Sequence, residues 1–178
     1  MTKPKATRPF PPIPPNPLFL KDEELIEGLE LLEFALDGLK SDQTALLGQL
    51  ELARSHQQLL HFIGRAPGIT MVDLMKLVPL TKQSLSRLLK ELSARGLITQ
   101  TMDQSDRRQR LLELTVEGRA LDQRLSDGLR RRLAHAYRAA GAEAVAGYHQ
   151  VLEGLIGDAA RHYLDQVRTG SGQRWQPS

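Results

Sequence analysis

Between residues 69 and 115 the hydrophobic period changes twice, and this constrains the fold more than any other feature of the chain. Thr70 and Asp73 stand three apart in front of Leu74, Leu77 and Val78, the pattern that starts a helix, and Pro79 stops it. Thr81 can cap a second helix, which carries Leu85, Leu88, Leu89 and Leu92 on one face at i, i+3, i+4 and i+7. Gly96, just past Arg95, suits a left-handed helix end. The period then falls to two. Leu97-Ile98-Thr99 reads as a strand, residues 103–108 as a polar turn, and Leu112-Glu113-Leu114 as the returning strand. Thr115 caps the next helix. The segment is thus a short helix braced against a longer one, followed by a hairpin.

The flanks are helical. Residues 20–39 place Leu25, Leu29, Leu32, Leu36 and Leu39 at alternating steps of four and three, a seam that serves either the chain's own core or a partner chain. A second helix is expected over 44–64, with Leu52, Leu59 and Ile63 in its stripe and His56 among them. Leu121, Leu125, Leu129 and Leu133 line a long helix after Thr115, and one last helix is expected over 142–167. Seven of the ten prolines fall in residues 1–17, which sets that stretch apart as an extended arm. The resulting division is a proline-rich arm (1–17), N-terminal helices for dimerisation and a ligand cleft (18–64), a helix-turn-helix with hairpin (65–115), C-terminal dimerisation helices (116–168) and a loose Gly/Ser/Gln-rich tail (169–178).

Charge is unevenly spread. Residues 18–64 hold three bases against nine acids, whereas residues 81–119 hold eight bases against five acids. A basic middle beside an acidic flank suits one face turned toward a polyanion. The chain has no cysteine, which excludes disulfides and thiolate metal sites. No run of about 18 apolar residues offers a membrane span, and the N-terminus lacks the apolar stretch of a signal peptide. A cytoplasmic protein with no membrane partner is expected.

A helix laid in the major groove needs hydrogen-bonding and cationic groups on its free face. Thr81, Lys82, Gln83, Ser84, Ser86, Arg87 and Lys90 supply them, opposite the four leucines. Gln suits adenine edges, Arg and Lys suit guanine, and Ser suits base or phosphate. On the hairpin, Arg107, Arg108 and Arg110 bring three guanidinium groups near the tip, fit for phosphates or a narrow minor groove. Asp106 beside them can orient one guanidinium through a charge-assisted bond.

Together these pieces resemble the winged helix of the MarR (multiple-antibiotic-resistance regulator) family. The resemblance rests on the recognition helix at 81–92 with Ser86-Arg87, the exit Arg95-Gly96-Leu97-Ile98, the wing Asp106-Arg107-Arg108, and Leu112-Glu113-Leu114-Thr115 leading to Gly118. It covers about fifty residues closely. It implies a homodimer held by the first and last helices, with two recognition helices and two wings on one face of double-stranded DNA. It also implies a repressor relieved by a small aromatic or anionic ligand bound between the dimerising and DNA-binding parts. One departure is Gln100 and Thr101 on the first wing strand, where many relatives carry bases; fewer phosphate contacts are expected there.

His56 and His61 stand five apart on one helix, so they point to diverging faces and do not form a metal pair. His56 is expected to line the core or the ligand cleft, with Phe62 and Arg65 as further lining residues. No nucleophile elbow, phosphate-cradling glycine loop or metal-ligand set is present, so no enzyme, cofactor or metal is expected. The fold expected is mostly α: a winged helix-turn-helix with a small antiparallel β-hairpin wing and long dimerisation helices. The function expected is sequence-specific binding of a pseudo-palindromic operator as a homodimeric transcriptional regulator. The alternative is a winged helix used for protein contacts, which an apolar face over 82–90 would favour.

Overall fold

The computed structural model describes residues 21–103 and 109–169, except for the side chain of Asp42. The proline-rich arm, the hairpin tip with Asp106, Arg107 and Arg108, and the end of the tail lie outside the described residues. The chain divides into two units, residues 1–40 and 41–178.

Helix α1 (Asp22–Gln49) begins in the first unit and ends in the second. Three acids, Asp22, Glu23 and Glu24, occupy its first turn, where the helix dipole favours negative charge. Leu25, Ile26, Leu29, Leu31, Phe34 and Leu36 of this helix are exposed. In the second unit follow α2 (Arg54–Arg65), β1 (Ile69–Thr70), α3 (Met71–Leu77), α4 (Lys82–Ala94), β2 (Ile98–Met102), β3 (Arg110–Leu114), α5 (Val116–Ala140), α6 (Ala142–Leu155) and α7 (Asp158–Thr169). The strands form one antiparallel sheet in the order β1-β3-β2. Leu59, Leu60 and Ile63 of α2, Ile69 of β1, Leu74 of α3, Leu85 and Leu92 of α4, Leu112 of β3 and Leu125 of α5 are fully buried and share one core.

Three boundaries differ from the sequence expectation. No break occurs at residues 40–43; α1 runs on to Gln49, and Gln43 donates from its amide to the carbonyl of Leu125 at 3.0 Å. The break lies at residues 50–53 instead. Glu51 takes a left-handed φ of 51°, and Leu52 N–H returns to the Leu47 carbonyl at 2.9 Å. No glycine marks the spot. Arg95, from the end of α4, donates to the carbonyls of Leu50 (2.9 Å) and Glu51 (3.2 Å), so a distant guanidinium satisfies the acceptors that the helix end leaves open. The expected last helix is two helices, parted at Ile156–Gly157, where Ile156 turns to an extended conformation with ψ 146°. Finally, Ile69–Thr70 is a strand too short for periodicity to reveal, pairing Ile69 with Leu112 and Thr70 with Leu111.

The expected caps are in place. Thr70 Oγ1 accepts from Asp73 N–H, Thr81 Oγ1 from Ser84 N–H and Thr115 Oγ1 from Gly118 N–H, at 3.0–3.2 Å. Gly118 has a second task. A Cβ placed there would lie 1.9 Å from the Leu97 carbonyl oxygen, which is backbone and already bonded to Thr115 N–H at 3.1 Å. Neither partner can step aside without opening the wing. Gly118→Ala should therefore cost about 3 kcal/mol, the upper end for overpacking. Urea unfolding measures this; a loss below about 0.5 kcal/mol, the scale of ordinary surface changes, would contradict the close approach.

Candidate nucleic-acid interface

Helix α4 is oriented by its apolar face. Leu85, Leu88, Leu89 and Leu92 are buried. Each buried leucine contributes about 1.5–3 kcal/mol over exposure, so turning the helix about its axis would forfeit several of these at once. The opposite face is therefore fixed outward. Lys82, Gln83, Arg87 and Lys90 are exposed there and Ser86 is half-buried. Gln83, Arg87 and Lys90 follow at i, i+4 and i+7, a single stripe along the helix. Thr81 and Ser84 sit at its start, where the Thr81 hydroxyl also donates to Ser84 Oγ at 3.0 Å. Their side chains thus hold the helix end as well as lying on this face.

Arg87 is not loose. Its Nη1 lies 2.6 Å from Glu91 Oε1, one turn further on, and the other carboxylate oxygen, Oε2, lies 2.8 Å from Nε2 of His56 on α2. The His56 bond first, then Arg87, holds the Glu91 carboxyl below its usual pKa. His56 is buried, and its Nδ1 accepts from the Ala53 N–H at 3.0 Å, closing the start of α2 where no Ser, Thr, Asp or Asn is available. Glu91 is not singled out by the sequence, and Arg95 enters there only as part of the exit motif Arg95-Gly96-Leu97-Ile98. The one available signal for Glu91 was its i+4 spacing from Arg87.

The wing extends β2 and β3 to five residues each, longer than the three expected, with Ile98 opposite Leu114 and Met102 opposite Arg110. Asp103 N–H bonded to the Gln109 carbonyl at 3.1 Å carries the ladder one step further. Arg110 is exposed at the distal end of β3. Strand β2 bears no base, and Thr101 is exposed while Gln100 is half-buried.

The three residues expected to line a ligand cleft do not converge. His56 faces α4, as above. Phe62 packs its ring edge-on against Tyr163 of α7, with centroids 5.2 Å apart, and Arg65 lies near the same phenol, which burial pushes up to about 12. Nine residues along a helix amount to half a turn of rotation, so His56 and Arg65 occupy opposite sides of α2. His61 diverges from His56 as its spacing implied, and its Nδ1 lies 3.9 Å from Asp122 Oδ1. Among the described residues no cluster of three or more His, Asp or Glu is placed to hold a metal, and no helix is long and apolar enough to cross a membrane.

The sequence profile of the MarR family matches residues 49–109, which span the end of α1 to the wing. The HTH-type transcriptional regulator PetP of Rhodobacter capsulatus is 41% identical over 151 residues, covering 85% of this chain and 91% of its own length. Among solved structures, the crystal structure of MarR superposes with a TM-score of 0.59 at 24% identity, covering 76% of this chain and 92% of MarR. Streptococcus pneumoniae FabT in complex with DNA gives 0.60 at 21% identity, covering 82% of this chain and 99% of FabT. The fold is the one these structures share, and the long, closely related regulator extends the match well beyond the winged helix. The chain belongs to the MarR family of winged helix-turn-helix transcriptional regulators.

Proposed function

We propose that this protein is a homodimeric, ligand-responsive repressor that reads a pseudo-palindromic operator with α4 and grips the flanking DNA with its wing. The observation that carries this reading is the polar, cationic stripe of α4, turned outward by four buried leucines. An apolar stripe would have suited a protein partner. A polar one with Gln83, Arg87 and Lys90 suits base edges and phosphates. FabT, of like fold, was crystallised with DNA. Residues 65–115 would form the DNA-binding part, flanked by dimerising helices at 18–64 and 116–168.

Dimerisation accounts for the apolar surface left uncovered in each unit: Leu25, Leu29 and Phe34 in the first, and Leu133, Tyr148, Val151 and Leu155 in the second. A dimer sets two recognition helices about one turn of DNA apart, which is why the operator should be pseudo-palindromic. The response to a small aromatic or anionic ligand falls to the Phe62, Arg65 and Tyr163 neighbourhood, where a guanidinium borders aromatic rings. The role is one of binding, without catalysis or cofactor, and its place is beside the chromosome in the cytoplasm.

Four outcomes are expected. Leu29→Lys with Leu32→Lys should convert the dimer to monomer or unfolded chain in sedimentation at micromolar concentration; a well-folded wild-type monomer under those conditions would defeat the dimer. Gln83→Ala should weaken binding to an operator selected from genomic DNA by about 1–3 kcal/mol while changing random-duplex binding little. Equal losses on both would make Gln83 a phosphate contact only. On the wing, Arg108→Ala should flatten the slope of log affinity against log salt by up to about 2, from roughly 0.9 per lost contact in each of two protomers. Asp106→Ala should weaken binding although it adds positive charge. Tighter binding by Asp106→Ala and an unchanged slope for Arg108→Ala would remove the wing from the interface.

A further inference from the structure

Glu91 sits between a buried residue of α2 and the base-reading stripe of α4. The chain of contacts is continuous: Ala53 N–H to His56 Nδ1 at 3.0 Å, His56 Nε2 to Glu91 Oε2 at 2.8 Å, and Glu91 Oε1 to Arg87 Nη1 at 2.6 Å. The first link decides the direction of the second. Because Nδ1 accepts from a backbone N–H, the ring hydrogen sits on Nε2 and is donated to Glu91. His56 is buried, so it cannot wander; Glu91 is half-buried between helices, and Arg87 is largely exposed.

A lone i,i+4 pair on a helix surface does little for stability and leaves both side chains many rotamers. Here one partner of that pair is tied to a second helix. The carboxylate is then a fixed post, and Arg87 is held with one guanidinium edge against it. A guanidinium has five N–H donors, of which this contact takes one, leaving a free edge for the N7 and O6 of a guanine. Ordering the arginine before DNA arrives reduces the rotamer freedom lost on binding.

We propose that Glu91 is a positioning residue that aims Arg87 at a guanine of the operator, and that His56 sets Glu91 for that task. This rests on the reading of α4 as the base-reading helix. It gives His56 a part in DNA specificity although it lies on α2, away from the stripe, and it assigns an acidic residue at a DNA-facing helix a positive role.

The test compares binding of fluorescent duplexes, one carrying a genome-selected operator and one of random sequence, at fixed salt. Arg87→Ala should lower the operator-to-random affinity ratio by about tenfold, within the range for a lost bidentate base contact. Glu91→Ala should lower the same ratio by about threefold or more, while random-duplex affinity holds or rises because a negative charge has gone. In an Arg87→Ala background, Glu91→Ala should change the ratio no further. Two variants of His56 separate positioning from mere capping. His56→Gln can place an amide N–H near the former Nε2 and keep Glu91 bonded; His56→Asn can place an oxygen near the former Nδ1 and keep only the cap. Positioning requires that the Gln variant preserve the ratio and the Asn variant lose it. The reverse order, equal losses by Glu91→Ala on both duplexes, or a ratio raised by Glu91→Ala would overturn the proposal. An unchanged ratio in Arg87→Ala would overturn the base-reading assignment and this role with it, whereas a loss in Arg87→Ala with none in Glu91→Ala would overturn the positioning role alone.

Discussion

The carbonyl of Leu97 is the point on which the junction of α4, β2 and α5 depends. It accepts from Thr115 N–H at 3.1 Å and is approached so closely by α5 that residue 118 has room for no side chain. Leu97 N–H meanwhile returns to the Leu92 carbonyl at 3.0 Å, and the Thr115 hydroxyl donates to the Gly96 carbonyl at 2.7 Å. The end of α4, the strand β2 and the start of the long helix α5 are thereby tied within a few residues. A left-handed Gly96, with φ 68°, is what allows the chain to leave α4 and enter β2 at this point. Given that junction, the relation of β2 and β3 to α4 is fixed largely by backbone contacts.

A second tie joins α4 to the helices before it. Arg95 closes the end of α1 and His56 closes the start of α2 while reaching Glu91. The connector at 50–53 carries no glycine, proline or capping hydroxyl, so its shape is borrowed from α4. A shift of α2 against α4 would have to break the bond between the buried His56 and the half-buried Glu91 carboxylate.

Local rules made part of this visible before the structure. The leucines of α4, the caps at Thr70, Thr81 and Thr115, and the stop at Pro79 depend on near neighbours in the chain, and the folded positions agree with them. What escaped depends on distant groups. The break at 50–53 is held by Arg95, more than forty residues away, and nothing near Glu51 announces it. The strand Ile69–Thr70 exists because β3 lies beside it. The helix parting at Ile156–Gly157 was hidden because apolar residues continue in helical register on both sides of it. On α4 the exposed residues are legible from amphipathic spacing alone and the Arg87–Glu91 pair from its i+4 spacing, whereas the hold of His56 on Glu91 depends on α2 passing alongside. His56, Phe62 and Arg65 were grouped by nearness in sequence, and the turn of α2 separates His56 from the other two.

The central claim is that two copies of this chain present two α4 stripes to one face of a duplex. Hydroxyl-radical footprinting of a genome-selected fragment measures that arrangement directly. Two protected patches about 10–10.5 base pairs apart, symmetric about a dyad and flanked by weaker wing protection, are the expected result. A single unsymmetric patch, or uniform protection with no preferred position, would contradict it.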